Sequence, residues 1–455
     1  MMRRVFQIVL GFSLTVLAIV FTWVFKPPPA SALPSYARQT GQPCTFCHLG
    51  FPELNATGRA FKLNGYIWPG GESKLPPVAV MLEPAFTHTQ SGQPGGAAPN
   101  FGVNNNFALQ QASLFYGGAI DADLGLGAFA QATYDSASNR FGWDNTDVRM
   151  ARTGTMGGTG FIYGLTLNNN PTVQDVWNTT PAWRFPYISS TLAPTPTAAS
   201  VIEGGLAQQV AGLGAYMFWN NLVYVELTGY RTLSTHTQTF LGVDTGGESS
   251  ISSVSPYWRV AVEPSWGKNT LEFGTFGLAS SLYPQRITTN GTDDLTDIGL
   301  DVQYQFVGER DGITLQASWI HESQAWNASQ PLGFTANSHD TLRSFNAKAS
   351  YLFEQTVGAS LGYFNINGTT DPGLYAAGAI SGSVNGSPDS SGWTAEIDYM
   401  PFNNGGPSFW PWLNAKVGLQ YIAYTKFNGG TTNYDGFGRS ASANNTLFLY
   451  TWIAF

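Results

Sequence analysis

Cysteine is almost absent from this chain, which contains two among 455 residues. A framework of several disulfides is therefore excluded, and the fold must be held by other means. Charged residues are also scarce, at 11% of the chain, and the net charge of −8 gives no basic surface for nucleic acid. Beyond the N-terminal leader no stretch of about 20 apolar residues occurs, so we expect no membrane-spanning helix there. No catalytic triad, carboxylate pair or phosphate-binding loop stands out, and we assign no catalytic residue.

The first 32 residues have the pattern of an export signal. Two arginines near the start precede an apolar run over residues 5–25, and Ala-Ser-Ala at 30–32 follows as an A-x-A cleavage site. We therefore predict a signal peptide over residues 1–32 and a mature chain that begins at Leu33. The apolar run is also long enough for a retained membrane anchor, but the prolines and small residues after it favour cleavage.

Both cysteines lie in one C-x-x-C-H segment, Cys44-Thr-Phe-Cys47-His48, which is the attachment sequence of a c-type haem. Two thiols at this spacing can add to the two vinyl groups at one porphyrin edge, and the adjacent histidine can bind the iron axially. A redox dithiol has no use for that histidine, and a structural zinc site needs a second pair of ligands that this chain lacks. We therefore predict one covalent haem c on Cys44 and Cys47, with His48 as axial ligand of the haem iron.

Residues 33–77 are predicted to form a small monohaem cytochrome c-like domain. Roughly 45 residues cannot bury a self-sufficient core, so this domain must depend on the haem and on packing against a neighbour. Residues 55–62 could form one short helix. Phe51, Leu54 and Phe61 are candidate contacts for the porphyrin, and in so small a domain the same residues would also serve as its core.

From Val78 to Phe455 the chain is predicted to form a porin-like β-barrel in the outer membrane of a Gram-negative bacterium, surrounded by lipid. Segments of about ten residues alternate between apolar and polar residues, as transmembrane barrel strands do, and about sixteen such segments occur. Clear examples are residues 106–116, 222–230, 298–306, 347–353, 393–399 and 415–424. The predicted fold class is mainly β, a transmembrane antiparallel β-barrel preceded by a small N-terminal haem domain.

The last segment supports this prediction. Leu447, Leu449, Ile453 and Phe455 share one face of an alternating strand, and the chain ends on an aromatic residue. A C-terminal aromatic residue on an amphipathic strand is the signal that outer-membrane assembly machinery reads. A soluble β-sandwich is the alternative, but so few charges across so long a sheet region disfavour it.

Charge is distributed unevenly along the chain. Of the net charge of −8, the leader contributes +3 and residues 33–77 contribute +2, so the remainder carries −13. Opposite charges favour docking of the haem segment on the barrel, and an acidic lumen or rim would concentrate cations such as metal ions. Acidic surface loops that serve solubility explain the same balance equally well.

The sixth coordination position of the iron has two candidates close in sequence. Residues 33–77 contain no methionine and no second histidine, so a strong sixth ligand must come from elsewhere. Met81 and His88 lie in residues 78–89, which we interpret as a linker running into the first strand. A methionine ligand would raise the reduction potential, although Met81 could also be a packing residue.

The remaining histidines, His236, His321 and His339, have no partner at metal-ligand spacing and are left unassigned. We also expect the haem segment to lie in or at the barrel lumen, because sixteen strands leave a channel wide enough for a plug. Residues 168–187 are too long for a plain hairpin. They could fold inward against the haem, form the outer mouth, or remain a surface loop capped by aromatic residues.

In several stretches the chain resembles the fused monohaem cytochrome–porins of Fe(II)-oxidising bacteria. Besides the C-x-x-C-H segment, the matching stretches are Phe51–Leu54, Gly58–Tyr66, Phe86–Thr89 and Tyr163–Trp183. The resemblance implies an outer-membrane iron oxidase. Fe(II) outside the cell would give one electron to the haem, and a periplasmic cytochrome or copper protein would receive it.

Two other functions remain open at this stage. One is a transport porin in which the haem is a tether or a sensor, although a plain porin needs no haem. The other is an electron conduit for a different donor or acceptor, such as Mn(II) or an extracellular cytochrome. A transient Fe(II) site needs only a few exposed carboxylates, so the residues alone do not separate the conduit from the oxidase.

Overall fold

A computed structural model of the chain describes residues 34–68, 76–245, 249–407 and 409–455. The predicted signal peptide and its cleavage point before Leu33 lie outside the described residues, as does part of the predicted haem domain, residues 69–75. Within the described part of the chain, no helix is both long enough and apolar enough to cross a membrane.

Sixteen antiparallel strands form one closed barrel in the described residues. Each strand pairs with the next along the chain, and the last pairs with the first, so the barrel has no open edge. The strands are β1 Val78–Thr89, β2 Asn106–Asp121, β3 Leu126–Asp135, β4 Arg140–Met156, β5 Thr159–Asn168, β6 Val210–Trp219, β7 Val223–Thr232, β8 Ser255–Val262, β9 Asn269–Tyr283, β10 Asp293–Val307, β11 Gly312–Ala325, β12 His339–Phe353, β13 Val357–Gly368, β14 Ser390–Tyr399, β15 Asn414–Lys426 and β16 Thr446–Ala454. Two short strands, Ser250–Ile251 and Ser265–Trp266, also pair with β9. The predicted barrel and its strand number are confirmed.

The strands carry polar residues on the inner face and apolar residues on the outer face. In β11, Gln316 and Glu322 are buried, whereas Leu315 and Trp319 on the opposite face are 46% and 36% exposed. A water-soluble sheet would bury its apolar face, so this arrangement suits a barrel surrounded by lipid. Closure of the barrel also gives every edge strand a partner, so that its backbone N–H and C=O groups form hydrogen bonds that lipid could not provide. The protein lies in the outer membrane of a Gram-negative bacterium, as predicted.

Long loops and short turns lie at opposite ends of the barrel. Residues 220–222 join β6 to β7 and residues 354–356 join β12 to β13, whereas residues 169–209 join β5 to β6. In such barrels the short turns face the periplasm and the long loops face the outside. β1 begins and β16 ends at the short-turn end, so the segment that precedes β1 enters the barrel from the periplasmic side.

This preceding segment, residues 34–68, lies inside the lumen. It contains three helices: α1 Pro34–Thr40, α2 Cys44–Cys47 and α3 Ala56–Leu63. Polar side chains of the inner wall contact it directly. Arg59 forms a buried ion pair with Glu263 at 2.8 Å, and the Tyr66 hydroxyl donates to Asp147 Oδ2 at 2.7 Å. The expected position in the lumen is therefore observed for the described residues of this segment.

Helix α3 corresponds to the short helix predicted over residues 55–62. The Asn55 side chain caps it by accepting hydrogen bonds from the backbone amides of Thr57 at 3.0 Å and Gly58 at 3.1 Å. Glycine is needed at position 58 because a Cβ there would lie 2.2 Å from the carbonyl oxygen of Cys47. The start of α3 can therefore pack directly against the helical turn that holds both cysteines.

The long connection between β5 and β6 folds into the lumen, which makes the surface-loop interpretation wrong. Trp177, near its centre, is fully buried and packs in one cluster with Val176 of the same loop and Leu63 of α3. The Arg259 guanidinium of β8 lies 4.8 Å from the centre of the Trp177 ring. The loop and the N-terminal segment together fill much of the barrel interior.

Residues 78–89, interpreted from sequence as a linker, are themselves the first strand. Strand geometry puts alternate side chains on opposite faces, and this decides between the two candidate iron ligands. Met81 is 3% exposed and faces the lumen. His88 lies on the outward face and contacts Asn105 through Nδ1 at 2.8 Å. Of the two candidates, Met81 is therefore placed to reach a group in the lumen and His88 is not.

Candidate functional site

The two cysteines lie on one helical turn at the periplasmic end of the lumen. Residues 44–47 form α2, and the backbone amide of His48 closes the turn by donating to the Cys44 carbonyl at 2.8 Å. The Asn414 side chain, at the start of β15, donates to Cys44 Sγ at 3.2 Å. A single turn therefore presents both sulfur atoms, with the histidine following directly.

The thiols are not tuned for redox exchange. Burial raises the pKa of the Cys47 thiol to about 12 and also raises that of Cys44. Reactive dithiols need a lowered pKa, because the thiolate is the nucleophile. This disfavours the redox-dithiol alternative to the haem-attachment motif.

The His48 imidazole is held neutral by its surroundings. Burial lowers its pKa to about 4, so at physiological pH the ring is in the uncharged form that binds metals. Nδ1 of His48 is buried without a hydrogen-bond partner in the described part of the chain. The Phe51 ring lies edge-on with its centre 5.3 Å from that of His48, and Trp452 of β16 lies 4.7 Å beyond Phe51.

His48 opens onto a cavity of about 530 Å³ inside the barrel. This is within the usual size of a site for a small ligand or cofactor. Both aromatic and charged side chains contribute to its walls. The aromatic ones include Tyr36, Phe51, Phe115, Phe129, Trp183 and Trp452, and the charged ones are Lys62, Glu83, Asp144, Asp175, Arg184 and Lys416.

Met81 and His48 line this same cavity, so the structure brings together two of the residues predicted from sequence. Met400, in the periplasmic connection between β14 and β15, is a second methionine in its wall. Phe51 and Leu54 also line the cavity, as expected for porphyrin contacts. Phe61 does not; its ring packs instead against Tyr36, with the ring centres 5.1 Å apart.

Buried ion pairs hold the cysteine-bearing segment against the barrel wall. Glu53 pairs with Lys348 of β12, whose ammonium also donates to the Tyr187 hydroxyl at 2.9 Å. Burial alone would raise the pKa of Glu53, but the Lys348 ammonium outweighs it and holds the pKa below its ordinary value. Removing one partner of a buried pair costs about 3–5 kcal/mol, so these contacts define the position of the segment.

Lys62 joins the N-terminal segment to the inward loop. Its ammonium donates to the carbonyls of Val173 at 2.7 Å and Asp175 at 2.8 Å, and it lies 5.0 Å from the centre of the Trp183 ring. Burial lowers the pKa of Lys62 to about 7. The wall of the cavity is therefore built jointly by the segment, the loop and the barrel.

The other histidines lie away from the cavity. His321 faces outward on β11 and stacks on Trp319, with ring centres 6.0 Å apart. His339 is exposed at the start of β12, and His236 is exposed in a short helix between β7 and β8, Thr235–Phe240. No cluster of three or more His, Cys, Asp or Glu side chains suited to a metal ion occurs among the described residues.

Several wall residues carry no signal in the sequence. Asn414 is 370 residues from Cys44 along the chain, and Arg184, Met400 and Trp452 are also distant from the motif in sequence. Only strand pairing and the inward loop bring them to the motif. The alternation of side chains along a strand predicts which strand residues face inward, but it does not predict which part of the lumen they reach.

No family model matches the sequence, and no curated protein matches it. The fold is similar to solved outer-membrane barrels. One is OmpT, an outer membrane protein of Vibrio cholerae, at 8% identity over 83% of this chain and 96% of that chain, with a TM-score of 0.40. Another is the outer membrane channel DcaP of Acinetobacter baumannii, at 10% identity over 83% of this chain and 96% of that chain, with a TM-score of 0.42. An anion-selective porin from Comamonas acidovorans is similar at 12% identity (83% and 98%, 0.42). Likeness at this level leaves the function open.

Proposed function

We propose that this protein is an outer-membrane cytochrome that oxidises extracellular Fe(II) and passes single electrons to periplasmic carriers through one covalent haem c. The observation that carries the proposal is the C-x-x-C-H turn, which opens onto a cavity of about 530 Å³ shared by His48 and Met81. The choice of iron as donor is supported by the resemblance of Tyr163–Trp183 and the other motif stretches to cytochrome–porins.

The residues at the site fit this cofactor. Cys44 and Cys47 would hold it through two thioethers, and neutral His48, which lines the cavity, would ligate the iron. The aromatic walls suit a large planar group. When bound, a haem exchanges one electron at its iron without bond-making chemistry.

The position of the motif supports electron exit toward the periplasm. Cys44 lies beside Asn414, at the short-turn end of the barrel, where periplasmic carriers could approach. The inward loop, residues 169–209, begins and ends at the extracellular end of the barrel. An interior filled by segment and loop can exchange electrons while it excludes the oxidised metal, whereas an open transport porin would need a free channel.

Met81 is proposed as the sixth ligand of the haem iron. Replacing Met81→Leu conserves volume but removes the thioether, so haem should remain attached while its midpoint potential falls. Met400→Leu is the matched control and should leave the potential unchanged. Both potentials are measured by spectroelectrochemical titration of the purified protein. A lower potential in the Met400 variant alone would assign the ligand to Met400 instead.

Fe(II) is expected to reduce the haem directly. Anaerobic addition of Fe(II) to the detergent-solubilised protein should develop the reduced α and Soret bands, with about one electron taken up per chain. Dithionite defines full reduction, and Mn(II) tests donor specificity. Reduction by dithionite but not by Fe(II) would reject the iron oxidase in favour of a conduit for another donor. Absence of haem from the isolated protein would favour a porin.

A further inference from the structure

One cation in the cavity wall lacks a complete set of partners. Lys62 donates to two backbone carbonyls, and Lys416 pairs with Glu396 at 3.3 Å and Asp398 at 3.5 Å. Arg184 pairs through Nη2 with Glu203. Its Nη1 is buried and makes no hydrogen bond within the described residues. A buried guanidinium nitrogen without an acceptor is costly, so this position calls for an acidic or carbonyl group.

Glu203 cannot supply that acceptor, because its oxygens are already engaged. Oε1 accepts from Arg184 and from the Ser344 hydroxyl at 2.8 Å. Oε2 accepts from the backbone amide of Ser200 at 3.1 Å and from its hydroxyl at 2.9 Å. This network holds the carboxylate in place, while the Arg184 side chain, 22% exposed, lines the cavity and can turn its guanidinium toward a ligand there.

The neighbours of Arg184 along the chain hold it at the wall. The Trp183 indole nitrogen donates to the Val173 carbonyl at 2.6 Å. On the other side, the Phe185 ring lies 5.3 Å from the Lys348 ammonium. Because both neighbours are anchored, the guanidinium is presented to the cavity by a rigid stretch of loop, and little entropy is lost when it binds an acceptor.

A haem attached at one edge carries two propionate carboxylates at another edge, and a guanidinium matches a carboxylate in shape and charge. We propose that Arg184 binds a propionate of the haem held by Cys44 and Cys47. This inference rests on the proposed function, since it requires the covalent haem. In this arrangement the N-terminal segment holds the vinyl edge of the haem through the thioethers, and the inward loop holds the propionate edge through Arg184.

The test compares wild type, Arg184→Gln and Arg184→Lys as full-length proteins, with Arg343→Gln as control. Arg343 is an exposed cation on the outer face of β12. The decisive measurement is the resonance Raman propionate bending mode, which responds to hydrogen bonding at the carboxylate. Arg184→Gln should shift this mode, and it should lower the midpoint potential because a nearby cation stabilises the reduced haem. The control should change neither.

Glu203→Gln separates ligand contact from a merely structural role of the ion pair. It removes the partner of Arg184 but keeps the guanidinium, so the propionate mode should stay in place. An unchanged mode in Arg184→Gln overturns the inference, and so does a mode that shifts equally in Glu203→Gln. If Arg184→Gln fails to accumulate, Arg184→Lys decides: a shifted mode supports the contact, and an unshifted mode refutes it. Wild-type protein without covalent haem would reject the proposed function itself.

Discussion

Replacing both cysteines, Cys44→Ser and Cys47→Ser, is expected to remove the covalent haem completely while the barrel still assembles. The two thiols are the only ones in the chain, so no other residue can form a thioether. The strands pair through backbone hydrogen bonds that neither cysteine makes, and a closed sheet does not depend on the cofactor. The intact mass of denatured protein should therefore fall by one haem between wild type and the double variant.

The matched control is Thr45→Ala, which changes the same helical turn without touching either sulfur. Among the described residues the Thr45 hydroxyl makes one long contact, 3.5 Å to Asn404, so the mass of this variant should include the haem. Heat-modifiable migration in gel electrophoresis reports whether each variant forms a barrel. Equal masses for wild type and the double variant would reject haem attachment at this motif.

Deleting residues 34–68 is expected to open the barrel. Sixteen-stranded barrels enclose an aqueous channel unless something fills it, and here this segment occupies the lumen through buried ion pairs such as Arg59 with Glu263. Wild-type protein in planar lipid bilayers should pass little ion current. The deletion variant should show discrete openings, because the wall groups released by the segment become hydrated.

The double cysteine variant serves as the control for this experiment, since it keeps the segment and loses only the haem. Its conductance should stay close to wild type, because the ion pairs of Glu53 and Arg59 do not involve the cofactor. Equal conductance for the deletion variant and wild type would show that the inward loop, residues 169–209, closes the lumen without help from the segment.

Where sequence prediction succeeded, the signal was local and periodic. Alternation of apolar and polar residues with a period of two predicts a strand without knowledge of the strands it pairs with. The barrel and its approximate strand number therefore follow from the sequence alone. The short helix predicted over residues 55–62 also formed, because its cap at Asn55 depends on neighbours within a few residues. The haem-attachment motif is also a local signal, of five consecutive positions, and attachment of haem to it stays a prediction.

The candidate site itself was only half predictable. Met81 and His88 were both reasonable ligands by distance along the chain, and the parity of β1 separated them by turning one inward and the other toward lipid. This separation requires that both residues lie in one strand. The sequence did not reveal this, because residues 78–89 were interpreted as a linker.

By itself the sequence determined a barrel for the outer membrane, and it placed a C-x-x-C-H segment before the first strand, since both depend on short-range pattern. Only the tertiary structure decided that residues 169–209 fold inward, and that Arg184, Met400 and Trp452 share one cavity with His48. The physical reason is that the lumen exists only once the last strand pairs with the first and the barrel is closed. Strand pairing brings together residues hundreds of positions apart, and a buried charge such as that of Lys348 meets its partner Glu53 only in the closed barrel.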